Sequence, residues 1–530
     1  MIVLATLNAR HAHAHLGLRC LLANLGDLRA KAVLVEGTIN DDLMRMAERI
    51  LAPHPRIVGL SVSIWNRTPT LRLIRLLRAA DSTMTIILGG PEPTYASSED
   101  PLAQAADTII GGEADIAFAE ACRKVIAGER LPRRIDAVKP DLASTALPFD
   151  EYDDRDLATR LISVEATRGC AYSCEFCLSS LDRGVRGYSL DLVLAGLDRL
   201  IARGCRTFRF VDRTFNLDPR RCRAIIEFFL ERWPKNAAGE RIGSHDPLAG
   251  GPESGAFFLH FEMVPDRLIP PLVELLPLFP EGGVQLEIGI QSLDETVNDR
   301  ISRHQVADKA IANLRWLRER TGCHLHVDLI VGLPGEGLAG FCAGFDRLYP
   351  ACMDPGGGRA ADLQVGILKL LPGTPLVRHR EAFSMVFDPD PPYEVLATRD
   401  LDFTTLLRLK RLARWVELTA NSHRFDRALA AVVDTAPSPS AAFLALADDL
   451  SARFNREYAI AEQELYVAMA EHLRSRGLDP LPPLVEDFLA SHPGIGTRRK
   501  GVPQFLVEPI AMRLDPRRAG AGRDLTNVAF

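Results

Sequence analysis

The feature that most restricts this chain is an alternation of short aliphatic runs with amphipathic stretches, repeated along its first 370 or so residues. "IVLAT", "AVLVEG", "IVGLSVS", "TIILGG" and "DTIIGG" come first, separated by helical patterns at 15–26, 40–52, 69–80 and, after the last run, 114–127. Apolar runs without polar alternation suit strands buried on both faces, and the helices between them suit parallel crossovers. The expectation is an α/β protein whose residues 1–135 form a doubly wound parallel sheet. A stretch rich in prolines and acids, "AVKPDLASTALPFDEYDDRD", then predicts an extended linker at 136–158.

A second series follows at 159–378. Its strand candidates are 161–166, 207–212, 256–263, 285–290, 324–333 and 363–370, with helices near 189–204, 219–232, 266–277, 306–320 and 337–349. Six βα-type units make either an open sheet or a barrel, complete or partial. "AAGERIGSHDPLAGGPESG" interrupts the series as a surface loop. Beyond it, leucine-rich patterns at 403–418 and 459–476 predict a mainly helical region at 379–495, and the glycine- and arginine-rich end predicts a loosely ordered tail at 496–530.

Bulk charge excludes little but argues for nothing electrostatic: 63 Lys and Arg against 69 Asp and Glu leave −6, so no nucleic-acid or membrane surface is indicated. The amino terminus has no basic segment ahead of its short apolar run, and no stretch reaches membrane-spanning length. Most of the ten cysteines sit singly in apolar segments, which suits thiols in a reducing cytoplasm better than a disulfide framework.

Three of them do not. Cys170, Cys174 and Cys177 crowd the loop after the first strand of the second series, at the end where α/β folds keep their sites. Structural zinc wants four closed ligands, and no other Cys or His lies in this loop. A [4Fe-4S] cluster takes one thiolate per iron, so three leave one iron open to a substrate or cofactor. A three-ligand zinc site, or three buried thiols without a metal, is the alternative.

"RGCAYSCEFC" resembles the signature of the radical S-adenosylmethionine (SAM) enzymes, with Phe176 as its aromatic residue. The resemblance implies a partial (βα)6 barrel and a cluster whose open iron is chelated by SAM. It also implies reductive cleavage of SAM to a 5′-deoxyadenosyl radical, chemistry carried by the cofactors. "FVDRTFNLD", "HFEM", "LEIGIQSLDETVNDRISR" and "VDLIVGLPGE" resemble the later strand ends of the family, and imply SAM contacts at Asp212, Glu262, Glu287, Gln291, Ser292, Arg303 and Asp328. For each acid alone, a solvated or salt-bridged loop residue is the competing reading.

The first domain lacks the G-x-G-x-x-G turn of dinucleotide folds. Its strand ends instead carry Ser61, Ser63, Gly89, Gly90, Gly111, Gly112 and Glu113, small residues that allow a planar ligand and its tail close to the backbone. The stretches around them resemble the cobalamin-binding domain that precedes the barrel in one radical SAM subclass; a sheet used only for packing is the alternative. His11, His13 and His15 do not fit D-x-H-x-x-G, so the bound cobalamin is expected to lack a histidine from that motif, and the run reads as a polar loop. The carboxy-terminal part resembles a subgroup with a domain of unknown function.

These resemblances imply a cobalamin-dependent C-methyltransferase acting on an unactivated carbon of a small-molecule or peptide substrate. An electron donor such as flavodoxin or ferredoxin is implied as partner, and no residue is assigned as acid or base. A cobalamin-dependent cyclisation, rearrangement or redox enzyme and a cobalamin- or cluster-dependent sensor are the alternatives. Methylthio transfer to tRNA is disfavoured by the lack of a second cysteine triplet.

Overall fold

The computed structural model describes residues 1–243, 255–353, 361–454, 456–494 and 501–514. Two parallel sheets dominate it. The first orders its strands β2-β1-β3-β4-β5-β6, with β1 Ile2–Asn8, β2 Ala32–Thr38, β3 Ile57–Ser61, β4 Thr85–Gly89, β5 Thr108–Gly111 and β6 Arg134–Asp136. Alternate residues of its inner strands feed two apolar layers: Val3, Ala5 and Leu7 face one, Ile2 and Leu4 the other. That is why the runs read as continuously hydrophobic. The chain leaves β1 toward β2 on one side and resumes at β3 on the other, opening a crevice at the carboxyl ends where ligands bind such sheets.

The second sheet begins with β7 (Ile162–Val164). A small antiparallel pair follows it, β8 (Thr167–Arg168) and β9 (Arg186–Gly187), whose connecting loop carries the three cysteines. Then come β10 (Thr207–Phe210), β11 (Phe258–Met263), β12 (Val284–Gln291), β13 (His324–Val331) and β14 (Asp362–Ile367). The order β14-β13-β12-β11-β10-β7 is all parallel and follows the chain, the arrangement of an incomplete barrel. On β12 and β13 burial alternates residue by residue, with Leu286, Ile288, Val327 and Leu329 buried against the helices and Glu287, His326 and Asp328 turned the other way.

Three expectations change. The 136–158 segment is no extended linker: β6 runs through its start, Phe149 and Tyr152 are fully buried, and Asp154–Thr159 is a helix closed by a capping box at Asp153. Apolar side chains spaced among the acids gave this strap something to bury. The helical region opens with a hairpin, β15 (Val386–Phe387) and β16 (Val395–Ala397), before helices Phe403–Thr419, Asp426–Asp434, Pro439–Arg453, Glu462–Ser475 and Leu481–Ser491. The supposedly loose end contains a helix, Val507–Leu514, and Phe505, Leu506 and Ile510 are buried; 495–500 and 515–530 lie outside the described residues, as does 244–254 of the expected surface loop. No single described helix is long and apolar enough to cross a membrane.

Candidate active site between two sheet ends

The cysteine loop is closed at its neck by backbone alone. Cys170 N–H donates to Asp182 O (3.1 Å) and Gly184 N–H to Cys170 O (3.0 Å). Gly169, at φ +87°, lies so close that a β-carbon there would sit 2.1 Å from Gly184 O, so this position requires glycine. Asp212, at the end of β10, accepts from Ala166 N–H and the Thr167 hydroxyl, anchoring the segment that leads into the loop. Burial pushes its carboxyl up to about 6 against those two hydrogen bonds.

A cavity of about 180 Å³ opens above the second sheet's carboxyl ends. Cys170, Cys174, Cys177 and Phe176 line one wall, and Glu262, Glu287, Gln291, Arg303 and Asp328 line the other. Two sequence candidates are not in it. Asp212 supports the loop from beneath, and Ser292, 1% exposed, donates to Glu336 Oε1 (2.5 Å) and accepts from Asp294 N–H. At these two positions, where the resemblance implies SAM contacts, the side chains instead hold neighbouring backbone or side chains.

The opposite wall is shaped by an irregularity. Pairing of β12 with β13 slips between Gly289 and Gln291, and Gln291 takes a left-handed conformation at φ +67°. A bulge of this kind re-aims a side chain. The Gln291 amide folds back so closely that a β-carbon on Gly289 would lie 2.4 Å from its Nε2. Arg303 donates to Gly289 O and places Nη1 3.5 Å from Cys174 Sγ. Tyr172 N–H points at Cys170 Sγ at 3.4 Å. Burial pushes the Cys170 and Cys174 thiols up, and the Tyr172 N–H beside the first and the Arg303 guanidinium beside the second work against it, toward the thiolates that iron binds.

Carboxylates on this wall diverge. Hydrogen bonding to His260 at 3.0 Å holds Glu287 down to about 2 despite burial. Burial, reinforced by Glu287 and Glu262, pushes Asp328 up to about 8. Glu262 pairs with Arg213 at 3.0 Å, a lining residue that sequence reasoning missed although it adjoins Asp212. Gln291 Oε1 and Asp328 Oδ1 are buried without a hydrogen-bond partner among the described residues. Two orphan acceptors facing three thiols fit a ligand rich in ammonium and hydroxyl donors.

A second cavity, about 350 Å³, fills the crevice of the first sheet. Ser61, Ser63, Gly89, Gly90, Gly112 and Glu113 line it, whereas Gly111 faces away, toward Arg134 and Asp136. Gly90, at φ +99°, is packed so tightly on Val62 that a β-carbon would stand 2.5 Å from its carbonyl oxygen. An apolar floor with Leu60, Ile87 and Phe118 and a rim that includes Gly89, Gly90 and Gly112 fit a large planar ligand with an apolar tail. His15 also lines this cavity. Its Nδ1 accepts from Leu18 N–H (3.1 Å), so the ring hydrogen is on Nε2, 2.9 Å from Ser61 Oγ. Neither nitrogen is left to coordinate cobalt. The histidine run is thus more than a polar loop: His15 caps the helix Leu16–Ala23, and the backbone at Ala12–His13 pairs with Leu161 beside β7.

The two cavities meet at one segment. Arg168 lines the first-sheet cavity and Cys170, two residues on, the other. Arg168 Nη1 bonds Glu113 (3.0 Å) and Asp115 (2.9 Å), Nη2 bonds Glu165 (2.7 Å), and Arg186 also pairs with Glu113. This ionic knot fastens β8 and β9 onto the first sheet.

Comparison with known families agrees with this layout. Residues 2–121 match the B12 binding domain, 164–342 the radical SAM superfamily and 381–507 a protein family of unknown function, DUF4080. The chain is 23% identical over 370 residues to the cobalamin-dependent radical SAM methyltransferase TokK of Streptomyces tokunonensis, covering 63% of this chain and 49% of that one. It is 23% identical over 331 residues to a probable threonylcarbamoyladenosine tRNA methylthiotransferase of Pyrococcus abyssi, covering 59% and 70%. The chain spans about half the length of the first of the curated relatives it matches. In fold it is similar to the cobalamin-dependent SAM radical enzyme OxsB, with a TM-score of 0.58 over 98% of this chain and 80% of that one at 14% identity. A [4Fe-4S] cluster, SAM and cobalamin are the cofactors that these modules bring.

Proposed function

With a B12-binding domain, a radical SAM domain and a DUF4080 domain in succession, the chain is a member of the B12-binding branch of the radical SAM superfamily; from that premise we propose that it is an enzyme that methylates an unactivated carbon of a small-molecule or peptide substrate. The observation that supports this most is the juxtaposition of the two cavities across Thr167–Cys170, one lined by three thiols and two orphan acceptors, the other by glycines. When bound, the cluster with SAM supplies hydrogen abstraction by a carbon radical, and cobalamin supplies the methyl group.

The chain's residues then have defined tasks. Cys170, Cys174 and Cys177 hold the cluster, and Arg303 offsets thiolate charge at Cys174. Gln291 and Asp328 accept hydrogen bonds from SAM, with burial pushing Asp328 toward its neutral form and His260 holding Glu287 charged. Glu262, paired to Arg213, completes that wall, and Phe176 lines the cysteine wall opposite. Ser61, Ser63, Gly89, Gly90 and Gly112 admit the cobalamin tail, and the docked sheets keep water from the reacting carbon. A small redox protein such as flavodoxin or ferredoxin supplies the electron, in a reducing cytoplasm that suits ten cysteines without a disulfide among them.

The test is anaerobic. Reconstituted protein, reductant, SAM, methylcobalamin and a candidate substrate should yield 5′-deoxyadenosine and a product heavier than that substrate by one methylene unit, and Cys174→Ala should lose both together with its iron. 5′-Deoxyadenosine without the mass gain would replace this reading with a cobalamin-dependent cyclisation, rearrangement or redox reaction. No 5′-deoxyadenosine from cluster-loaded protein, with any candidate substrate, would favour a sensor.

A further inference from the structure

At the opposite, amino-terminal rim of the second sheet lies a cluster that this reaction does not use. His324 opens β13 and Asp362 opens β14, neighbouring strands at the sheet's edge. His324 Nε2 is 3.1 Å from Asp362 Oδ2, and His423 Nε2 is 2.9 Å from Oδ1. His423 comes from another region altogether, the turn after helix Phe403–Thr419, inside the stretch that matches DUF4080.

That turn is fixed in place. Leu363 N–H donates to Asn421 Oδ1 (2.9 Å) and Asn421 Nδ2 donates back to Leu363 O (3.1 Å), so the turn is latched to the residue after Asp362. His423 itself holds a left-handed backbone at φ +53°. Its other nitrogen, Nδ1, is 3.6 Å from Asp426 Oδ1, which leaves Nε2 facing the carboxylate. A carboxylate behind the far nitrogen is the usual support of a metal-binding imidazole.

We propose that His324, Asp362 and His423 form a divalent metal site of the zinc class, which clips the DUF4080 region to the edge of the barrel sheet. The chemistry is that of zinc rather than magnesium or calcium, because two of the three donors are imidazoles. The dimensions also agree. Bonds of about 2.0–2.1 Å in a tetrahedron separate ligands by about 3.3 Å, and the three donor atoms already lie within 4.8 Å of one another, with the two contacts to Asp362 at 2.9 and 3.1 Å. An ion held by all three would draw the two imidazoles, which now meet different oxygens of Asp362, onto one centre in place of the imidazole hydrogens. The side chains are 25%, 18% and 36% exposed, so water reaches the remaining position. The rim is the end of the barrel that serves stability rather than catalysis. The site is independent of the methyl-transfer reading.

Equilibrium dialysis of the full chain against micromolar zinc chloride tests it, with cluster-reconstituted protein so that the three thiols are occupied. One zinc per chain should be retained beyond the cluster metal, with a rise in melting temperature. His324→Gln and His423→Gln keep an amide donor to Asp362 but lose the ligand, and should weaken zinc retention by at least tenfold or so while iron content and the zinc-free melting temperature stay as in the parent. Zinc retained equally by His324→Gln, or none retained by the parent at micromolar free zinc, would overturn the site and leave a hydrogen-bonded His–Asp–His network.

Discussion

His15 illustrates how much one side chain can be committed by two hydrogen bonds. Accepting at Nδ1 and donating at Nε2, it is neutral, and burial, outweighing the attraction of Glu36, pushes its pKa down to about 4 from an ordinary 6.5. In that window the unfolded chain binds a proton that the folded chain refuses, so stability is full above about pH 6.5 and falls as pH drops toward 4. The limit is about 3 kcal/mol, from roughly 1.36 kcal/mol per unit of pKa. We expect the melting temperature of the parent to fall between pH 7 and pH 5 by more than that of His15→Gln, which can still cap Leu18 N–H but does not titrate. Parallel pH profiles for the two proteins would show that His15 is not the buried neutral group described here.

At the scale of elements, β8 and β9 form a small hairpin stem with much dependent on it: the cysteine loop above, the first sheet beside it, and Arg168 between. Arg168 is shared by Glu113, Asp115 and Glu165, of which Asp115 and Glu165 are buried. Replacing it by methionine keeps the apolar stem but strands those carboxylates, at a cost of about 3–5 kcal/mol. Differential scanning calorimetry should show the loss, and cobalamin and iron should fall together because the segment borders both cavities; a melting temperature within a degree or so of the parent's would contradict the shared-ion-pair account. Nothing local in the sequence announced Arg168, since its partners lie 3, 53 and 55 positions away. The cysteine loop was legible for the opposite reason: its three donors fall within eight residues and follow a strand. The strands were legible because burial on both faces writes uninterrupted aliphatic runs. Ser292, Asp212 and Gly111 were misplaced because a motif gives position along a strand end but not side-chain direction, and the bulge before Gln291 shifts that direction by one residue. The packed strap at 142–159 was hidden because its buried residues, such as Phe149, Tyr152 and Leu157, are interspersed with acids that serve as caps and ion-pair partners.

Across the whole molecule the three regions are tied at more than the two cavities. Glu92, 2% exposed and next but one to Gly90, takes Arg67 at 3.0 Å from its own domain and the Tyr393 hydroxyl at 2.7 Å from the turn between β15 and β16. A few residues on from Gly90, Tyr95 packs on Gly373 in the loop after β14, so this segment leans on the barrel as well as on the region beyond it. A hydrogen bond to a buried charge contributes about 1.5–3 kcal/mol, and loss of the charge itself leaves Arg67 with only Asp100. Tyr393→Phe should therefore lower the melting temperature modestly and Glu92→Ala more. Because the phenol and the carboxylate serve one contact, the double variant should melt close to Glu92→Ala alone, an interaction that additive sites would not show. Melting shifts that simply sum would mean that the 2.7 Å contact carries no coupling, and that the carboxy-terminal region touches the first domain without steadying its cavity.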